Sequence, residues 1–260
     1  MKNTFAIILF SWFSTLTILG FPLPSNNGLS SQETRTADSL KKIIAFTNQD
    51  TTRIKTILSL SKIYNRYNSD TAIYLCHQAK QLSAKIKDRN LFSNSFILSG
   101  WAYYKQSNYP EALSDFKNGL MIKELMLKNF YKNENTHKKE ILNTRNNICN
   151  TLGYIGIIYD EQGDFTTALH YYFRALKIAE EINDKEKIAD HFGLIGTIYM
   201  SLGNYPKSLE FSFKSLKLRE ELGNENEQQQ DNDRGQNPHK DPRNLPPVRP
   251  LGGRKQSGHG

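Results

Sequence analysis

Residues 155–159, with the sequence IGIIY, recur almost unchanged forty positions later at residues 195–199, with the sequence IGTIY. Each copy is followed by a glycine turn, GDF at 163–165 and GNY at 203–205, and then by a second apolar run. Self-similarity at a fixed period of this length is the signature of an array of repeated structural units. These stretches therefore predict a chain built of helix–turn–helix repeats.

Two weaker copies lie upstream. The third copy has the same residue types at the same relative positions, namely Gly100, Tyr103, Tyr109, Ala112, Leu113 and Phe116. The fourth is the weakest match and consists of Ser61, Tyr64, Ala72, Ile73 and Ala79. A small residue in the first helix leaves room for the second, and the tyrosine after it supplies apolar area to their seam. One helix pair cannot bury its apolar stripe alone, whereas stacked pairs can.

This pattern resembles the tetratricopeptide repeat over roughly residues 51–224. The resemblance implies an all-α fold, a right-handed superhelical α-solenoid of stacked helix pairs, which we assign to residues 37–224. The period exceeds the common value of about 34, so the helices should be longer than usual. Between the Gly100 and Gly156 copies the chain carries an insertion. We expect a long loop at 129–139 flanked by extended helices, and a short helix at 37–46 that caps the stack.

Residues 1–25 have the pattern of a secretory signal peptide. Lys2 provides a positive charge, residues 5–19 are almost wholly apolar, and helix-breaking residues follow. The apolar run is shorter than the roughly 20 residues that span a membrane, although an uncleaved N-terminal anchor is the alternative. We therefore expect export to the periplasm or cell envelope, with a polar linker over 26–36.

Residues 225–260 differ sharply from the repeats. They contain no aromatic residue and hold five of the nine prolines. Such a segment cannot offset the entropy of ordering, so we predict a disordered C-terminal tail. Repeat arrays need a terminal cap with a polar outer face, and no capping helix is predicted after Leu222. We hypothesise that the array is cut short by a frameshift or a fragmentary gene model.

No pattern in the chain points to catalysis. The histidines fall in no metal-binding motif, and the sequence has no nucleophile elbow, phosphate-binding loop or dinucleotide fingerprint. We therefore expect no enzyme activity, no metal and no cofactor. The net charge of +8 is spread over helices that also carry acidic residues, so nucleic acid is not an expected partner. Cys76 and Cys149 are expected to fill apolar helix faces as free thiols.

The family resemblance implies a concave groove, lined by the first helix of each pair, that binds peptides. Its candidate partner-binding residues, transferred by position, are Asn94, Ile97, Trp101, Tyr104, Lys105, Asn150, Ile157, Asp160, Glu161, Asp190, Thr197 and Met200. Trp101 and Tyr104 are the strongest anchors, because aromatic residues dominate interface hot spots. The competing interpretation is that Trp101 packs against the neighbouring repeat. Members that grip a C-terminal carboxylate combine asparagines with basic residues. Asn94 and Asn150 lack matching basic residues, so that binding mode is not expected.

The sequence thus predicts a protein–protein interaction scaffold with a protein or peptide ligand. An alternative comes from the order of the segments. A signal peptide, a short helix and forty-residue repeats also resemble the sensory region of bacterial envelope receptors. In those proteins the repeats precede a membrane helix and a histidine kinase, cyclase or DNA-binding domain. On this alternative the chain is a truncated sensory ectodomain, and downstream DNA encoding a membrane span and an output domain would select it. The oligomeric state stays open.

Overall fold

The computed structural model describes residues 25–26, 28–131 and 137–236, with side chains up to residue 223. Over these residues the backbone forms nine α-helices and no strand. They are α1 (Ser31–Phe46), α2 (Asp50–Tyr64), α3 (Ser69–Lys85), α4 (Arg89–Lys105), α5 (Tyr109–Phe130), α6 (Lys138–Glu161), α7 (Phe165–Glu181), α8 (Lys185–Ser201) and α9 (Tyr205–Gln236). The all-α prediction is confirmed.

Helices α2 to α9 form four consecutive pairs. Each helix packs mainly on its neighbours in sequence, and the first helices of successive pairs also touch, α2 against α4 and α4 against α6. Contacts that are local along the chain and recur from pair to pair define a solenoid. The right-handed α-solenoid is therefore confirmed. Helix α1 packs on α2 at the amino end of the stack, where a capping helix was expected.

Short connectors with one recurring geometry join most of the helices. After α6, Gly163 has a φ of +76°, and the amide of Asp164 donates to the carbonyl of Tyr159 at 2.9 Å. The Asp164 carboxylate accepts from the amide of Thr167 at 3.1 Å, at the start of α7. A residue in the left-handed backbone conformation ends one helix, and the N-cap residue of the next helix follows it directly. The combination of a positive φ with a following Asp or Asn recurs at residues 87–88, 107–108, 183–184 and 203–204.

The seam between the two helices of a pair depends on close approach at glycine. A methyl group at Gly156 would lie 2.5 Å from the ring of Tyr172, which is fully buried in α7. In the preceding pair, a methyl group at Gly100 would lie 2.9 Å from the ring of Phe116. No carbon atoms pack at such distances, so these positions must stay without a side chain for the aromatic rings to fit.

The seam of the last pair is less apolar. Gly196 faces the hydroxyl of Ser212, which would lie 2.9 Å from an added methyl group. One helical turn further along, Ser215 donates from Oγ to the carbonyl of Ala189 at 2.7 Å. Ser212 takes the place that Tyr172 has in the preceding pair, so burial at this seam contributes less than at the seam of α6 and α7.

The segment predicted as a linker, 26–36, is helical from Ser31 onward, and that boundary is corrected. Ser30 and Glu33 form a capping box, in which the Glu33 amide donates to Ser30 Oγ at 3.3 Å and the Ser30 amide donates to Glu33 Oε2 at 3.2 Å. This arrangement satisfies amides that have no partner within a helix, and so it starts α1. Glu33 also accepts from the hydroxyl of Tyr67 at 2.5 Å, which joins α1 to the end of α2.

The boundary at residue 225 is corrected in the same way. The backbone of α9 continues as a helix through Gln236, past the predicted start of the tail. Residues 224–236 contain several Glu and Gln and no proline, and these residue types favour helix over other conformations. The first proline follows at Pro238. Residues 237–260 lie outside the described residues, so the disorder predicted for them stays a prediction.

The insertion between the Gly100 and Gly156 copies lengthens both flanking helices, as expected. Helix α5 has 22 residues and α6 has 24. The helices reach Phe130 and begin again at Lys138, so the ends of the predicted loop at 129–139 are helical, and residues 132–136 lie outside the described residues.

The predicted signal peptide lies almost wholly outside the described residues, which begin at 25. Among the helices that the structure does describe, none combines the length and the apolarity needed to span a bilayer.

Two lysines, Lys80 partly buried and Lys123 fully buried, differ in their partners. Lys80 of α3 donates to both carboxylate oxygens of Asp115 in α5, at 3.0 and 2.8 Å. Lys123, also in α5, is fully buried and donates to the neutral amide oxygen of Asn90 at 2.5 Å. Burial lowers the pKa of Lys123 to about 8, against the attraction of Asp88. The charge of Lys123 therefore destabilises the fold, whereas the charge of Lys80 is needed to balance Asp115.

We expect Gly156→Ala to destabilise the protein by about 2 kcal/mol, because the methyl group displaces the buried ring of Tyr172. Denaturant unfolding followed by circular dichroism measures the change. The matched control is Gly223→Ala in α9, where an added methyl group meets no atom within 4 Å, and which should be neutral or stabilising by less than about 1 kcal/mol. Equal effects of the two variants would contradict the close-approach argument.

Lys123→Met should stabilise the protein at pH 7 by about 2 kcal/mol, because it removes a charge that burial disfavours. Below pH 8 the lysine is charged in both the folded and the unfolded chain. Between pH 8 and the ordinary value of 10.5 only the unfolded chain keeps the proton, so wild-type stability rises with pH and the advantage of the variant shrinks. Unfolding free energies measured at pH 7 and pH 10 test this. Lys80→Met is the contrasting variant and should destabilise the protein, since it leaves Asp115 buried without a cation.

Candidate peptide-binding groove

An open pocket of about 290 Å³ lies where the first helices α2, α4 and α6 face one another. Its lining residues are Lys55, Leu58, Ser59 and Lys62 from α2, Leu91, Asn94, Ile97 and Leu98 from α4, and Asn147 from α6. The predicted groove residues Asn94 and Ile97 are thus brought together here. The pocket combines an apolar surface with a few polar side chains, the usual composition of a ligand site.

Two lysines that the sequence pattern did not single out give the pocket its charge. Lys55 and Lys62 are exposed, stand seven residues apart on one face of α2, and line the same pocket as Asn94 and Asn147. Within the described part of the chain, no carboxylate pairs with either lysine. Lys55 and Lys62 thus accompany Asn94 in this pocket. That the chain does not grip a C-terminal carboxylate stays a prediction. The spacing of Lys55, Ser59 and Lys62, at i, i+4 and i+7, is the signal that could have revealed this face.

Trp101 lies in an aromatic stack rather than in the pocket wall. Its ring lies 4.6 Å from that of Tyr154 in α6 and 5.1 Å from that of Tyr104, with the second pair nearly parallel. Tyr154 in turn lies 5.5 Å from Phe116. This geometry matches the competing interpretation, in which Trp101 packs against the neighbouring repeat. A Trp101→Ala exchange therefore removes packing between repeats and cannot serve as a clean test of partner binding.

Glu161 joins the end of α6 to the preceding pair. Its Oε1 accepts from the hydroxyl of Tyr104 at 2.6 Å, and its Oε2 accepts from the hydroxyl of Tyr109 at 2.7 Å. Burial, together with this hydrogen bond, raises the pKa of Tyr104 to about 12, so the phenol stays protonated as a donor. Burial also raises the pKa of the neighbouring Asp160. Tyr104 and Glu161 therefore hold two repeats in register.

Two further candidates have their charges engaged within the protein. Nζ of Lys105 donates to the carbonyl of Asn65 at 2.9 Å, at the end of α2, where helix carbonyls lack intrahelical partners. Asp190 of α8 accepts from Nη2 of Arg219 in α9 at 2.6 Å. Lys105 thus acts between repeats, and the Asp190 pair links the last two helices.

The remaining candidates differ in exposure. Thr197 and Met200 are exposed on α8, although Thr197 donates from Oγ1 to the carbonyl of Gly193 at 3.1 Å. Asn150 is half-buried on α6, and Ile157 packs against the core formed by α7 and α8. Ile97 lines the pocket but also packs against the core formed by α5 and α6. Asn94, Asn150 and the exposed pair on α8 are the candidates whose side chains are free for a partner.

The buried cysteines carry no activated thiol. Both are free, as expected. Sγ of Cys149 lies 3.5 Å from Nε2 of His191, but burial raises the pKa of the thiol to about 11 and lowers that of the imidazole to about 4. The pair is therefore neutral near pH 7 and lacks the thiolate that a nucleophile needs. In the part of the chain that the structure describes, no group of three His, Cys, Asp or Glu residues is placed to hold a metal ion.

Residues 151–186, which run from α6 through α7 to the start of α8, match the family model of the tetratricopeptide repeat. This stretch contains the close approach of Gly156 to Tyr172 and the connector at 163–164. This stretch of the chain is a tetratricopeptide repeat. No curated protein sequence matches the chain significantly.

Solved structures share the solenoid. BtubC (BKLC) from P. vanneervenii has a TM-score of 0.61 and 12% identity, with 74% of this chain and 75% of that chain covered. Aspartyl phosphate phosphatase F from Bacillus subtilis has a TM-score of 0.61 and 17% identity, with 74% and 50% covered. A signal transduction ATPase with numerous domains and a tetratricopeptide repeat sensor, from Pyrococcus horikoshii, has a TM-score of 0.62 and 19% identity, with 76% and 28% covered. At these identities the likeness shows the fold of this chain and nothing finer.

Proposed function

We propose that this chain is a binding scaffold that holds an extended, acidic peptide segment of a protein partner in the groove between α2, α4 and α6. The observation that carries the proposal is the pair Lys55 and Lys62. Both ammonium groups border an open, partly apolar pocket and lack an acidic partner among the described residues.

The groove offers complementary chemistry to each part of such a peptide. An extended chain leaves its amides and carbonyls without internal partners, and the side-chain amides of Asn94 and Asn147 both donate and accept hydrogen bonds. The half-buried Ile97 and Leu98 provide apolar contact for a side chain between the polar groups. The two lysines then select for negative charge and speed the encounter, which is where exposed charges act most strongly.

One structural neighbour supports the proposal by analogy of fold. The Rap protein solved in complex with Competence and Sporulation Factor has a TM-score of 0.59 and 14% identity, with 75% of this chain and 51% of that chain covered. Similar folds host different functions, so the groove residues of this chain, rather than the neighbour, define the ligand chemistry proposed.

We also propose that the scaffold acts outside the cytoplasm. The support is the basic and apolar pattern of residues 1–25. Fusion of this segment to alkaline phosphatase lacking its own signal tests export, because the enzyme becomes active only after translocation. An inactive fusion that accumulates in the cytoplasm would contradict the proposal.

The second candidate is a sensory module of a larger signalling protein. The observation that favours it is the likeness to the ATPase with a tetratricopeptide repeat sensor, of which the chain spans only 28%. The same groove would then receive the signal. Downstream DNA that encodes a membrane span and an output domain in frame would support it, and downstream DNA without them in any frame would count against it.

Selection of a random peptide library on the full chain should enrich acidic sequences. The best selected peptide, labelled and followed by fluorescence anisotropy, should bind Lys55→Gln/Lys62→Gln about tenfold more weakly than wild type. Added salt should weaken wild-type binding more than binding by the variant, because it screens the charges that the variant lacks.

The matched control is Lys85→Gln/Lys177→Gln, which removes the same charge from exposed positions on the second helices α3 and α7. Its affinity for the peptide should equal that of wild type. Enrichment of neutral or basic peptides, or equal weakening by both double variants, would refute recognition by the α2 lysines.

A further inference from the structure

The last described helix presents an apolar stripe that no other element covers in the described part of the chain. Tyr205, Leu209, Phe213 and Leu216 follow one another at helical spacing along α9 and form what we call the terminal stripe. Their exposed fractions are 70%, 59%, 60% and 50%. Single exposed apolar residues are ordinary on protein surfaces, whereas an aligned row of this size marks an interaction surface.

The preceding repeat shows what such a stripe does. Forty residues earlier, α7 carries Phe165, Leu169, Phe173 and Leu176 at the corresponding positions. Leu176 is buried and Phe165 and Leu169 are half-buried, because they pack with α8 residues in one core cluster. Phe173 contacts the ring of Phe211 in α9 at 5.8 Å. The stripe on a second helix is therefore a docking surface for a further helix.

Up to Gln236, the described chain after the terminal stripe continues as one helix and does not turn back over the stripe. Helix α7 ends at Glu181, and a connector with a left-handed Asn183 turns the chain into α8. At the corresponding position, Gly223, α9 continues as a helix to Gln236. Residues 237–260 contain five prolines, and proline inside a helix costs about 3 kcal/mol. That sequence is therefore unsuited to form a covering amphipathic helix.

We propose that a second copy of this chain covers the terminal stripe, with the two α9 helices packed face to face about a twofold axis, so that the stripe of each copy contacts that of the other. The exposed apolar area of the stripe is on the order of 500 Å² per copy, which matches the apolar core of a standard interface of about 800 Å² per partner.

Sedimentation equilibrium of the full chain without peptide tests the proposal over a range of concentrations. We expect wild type to dimerise and Phe213→Glu to be monomeric, with its helical content by circular dichroism unchanged. The matched control is Met121→Glu, which replaces an equally exposed apolar residue on α5 and should dimerise like wild type. A monomeric wild type, or a dimer that Phe213→Glu leaves intact, would overturn the proposal. If the chains associated through the apolar N-terminal segment instead, Phe213→Glu would leave the dimer intact.

The measurement involves no groove ligand, so its outcome is independent of peptide binding by α2, α4 and α6.

Discussion

Close approach of two helices at a glycine is the contact on which the solenoid depends. Because Gly156 has no side chain, the ring of Tyr172 lies directly over the backbone of α6, and Phe116 does the same over Gly100 in the preceding pair. The large buried ring then fills the seam of its own pair and leaves the remaining apolar faces to be covered by the next pair. The close packing of the two helices within each pair therefore leaves apolar faces that only the next pair can cover, and the pairs stack.

The first helices use one face for core packing and leave another face accessible, and this explains the chemistry of the groove. Buried contacts between helices use the second helices and the inner faces of the first ones, so the outer faces of α2, α4 and α6 can carry polar groups without loss of core packing. Lys55, Lys62 and Asn147 occupy such positions. The aromatic residues that first suggested a binding site, Trp101 and Tyr104, instead hold successive repeats together.

Much of the architecture could be predicted from the sequence, because glycine and connector residues recur at one spacing. The start of α1 could not, since Ser30 and Glu33 read as polar linker residues until their reciprocal hydrogen bonds are seen. The lysines of the groove were missed because α2 belongs to the weakest copy, which gives no reliable alignment of its faces. The hydrogen bond from Lys105 to the carbonyl of Asn65 joins different repeats, and periodicity within one helix carries no information about it.

The serines at the last seam have a consequence for how the protein opens. In a stack where each unit touches only its neighbours, stability passes along the chain from one seam to the next. The seam of α8 and α9 contains Ser212 where the preceding pair has Tyr172, so it buries less apolar surface than the seam of α6 and α7. Amide hydrogens should exchange fastest at this end and progressively more slowly toward α6 and α7. We therefore expect local unfolding of the described solenoid to begin at α9 and to proceed toward α6.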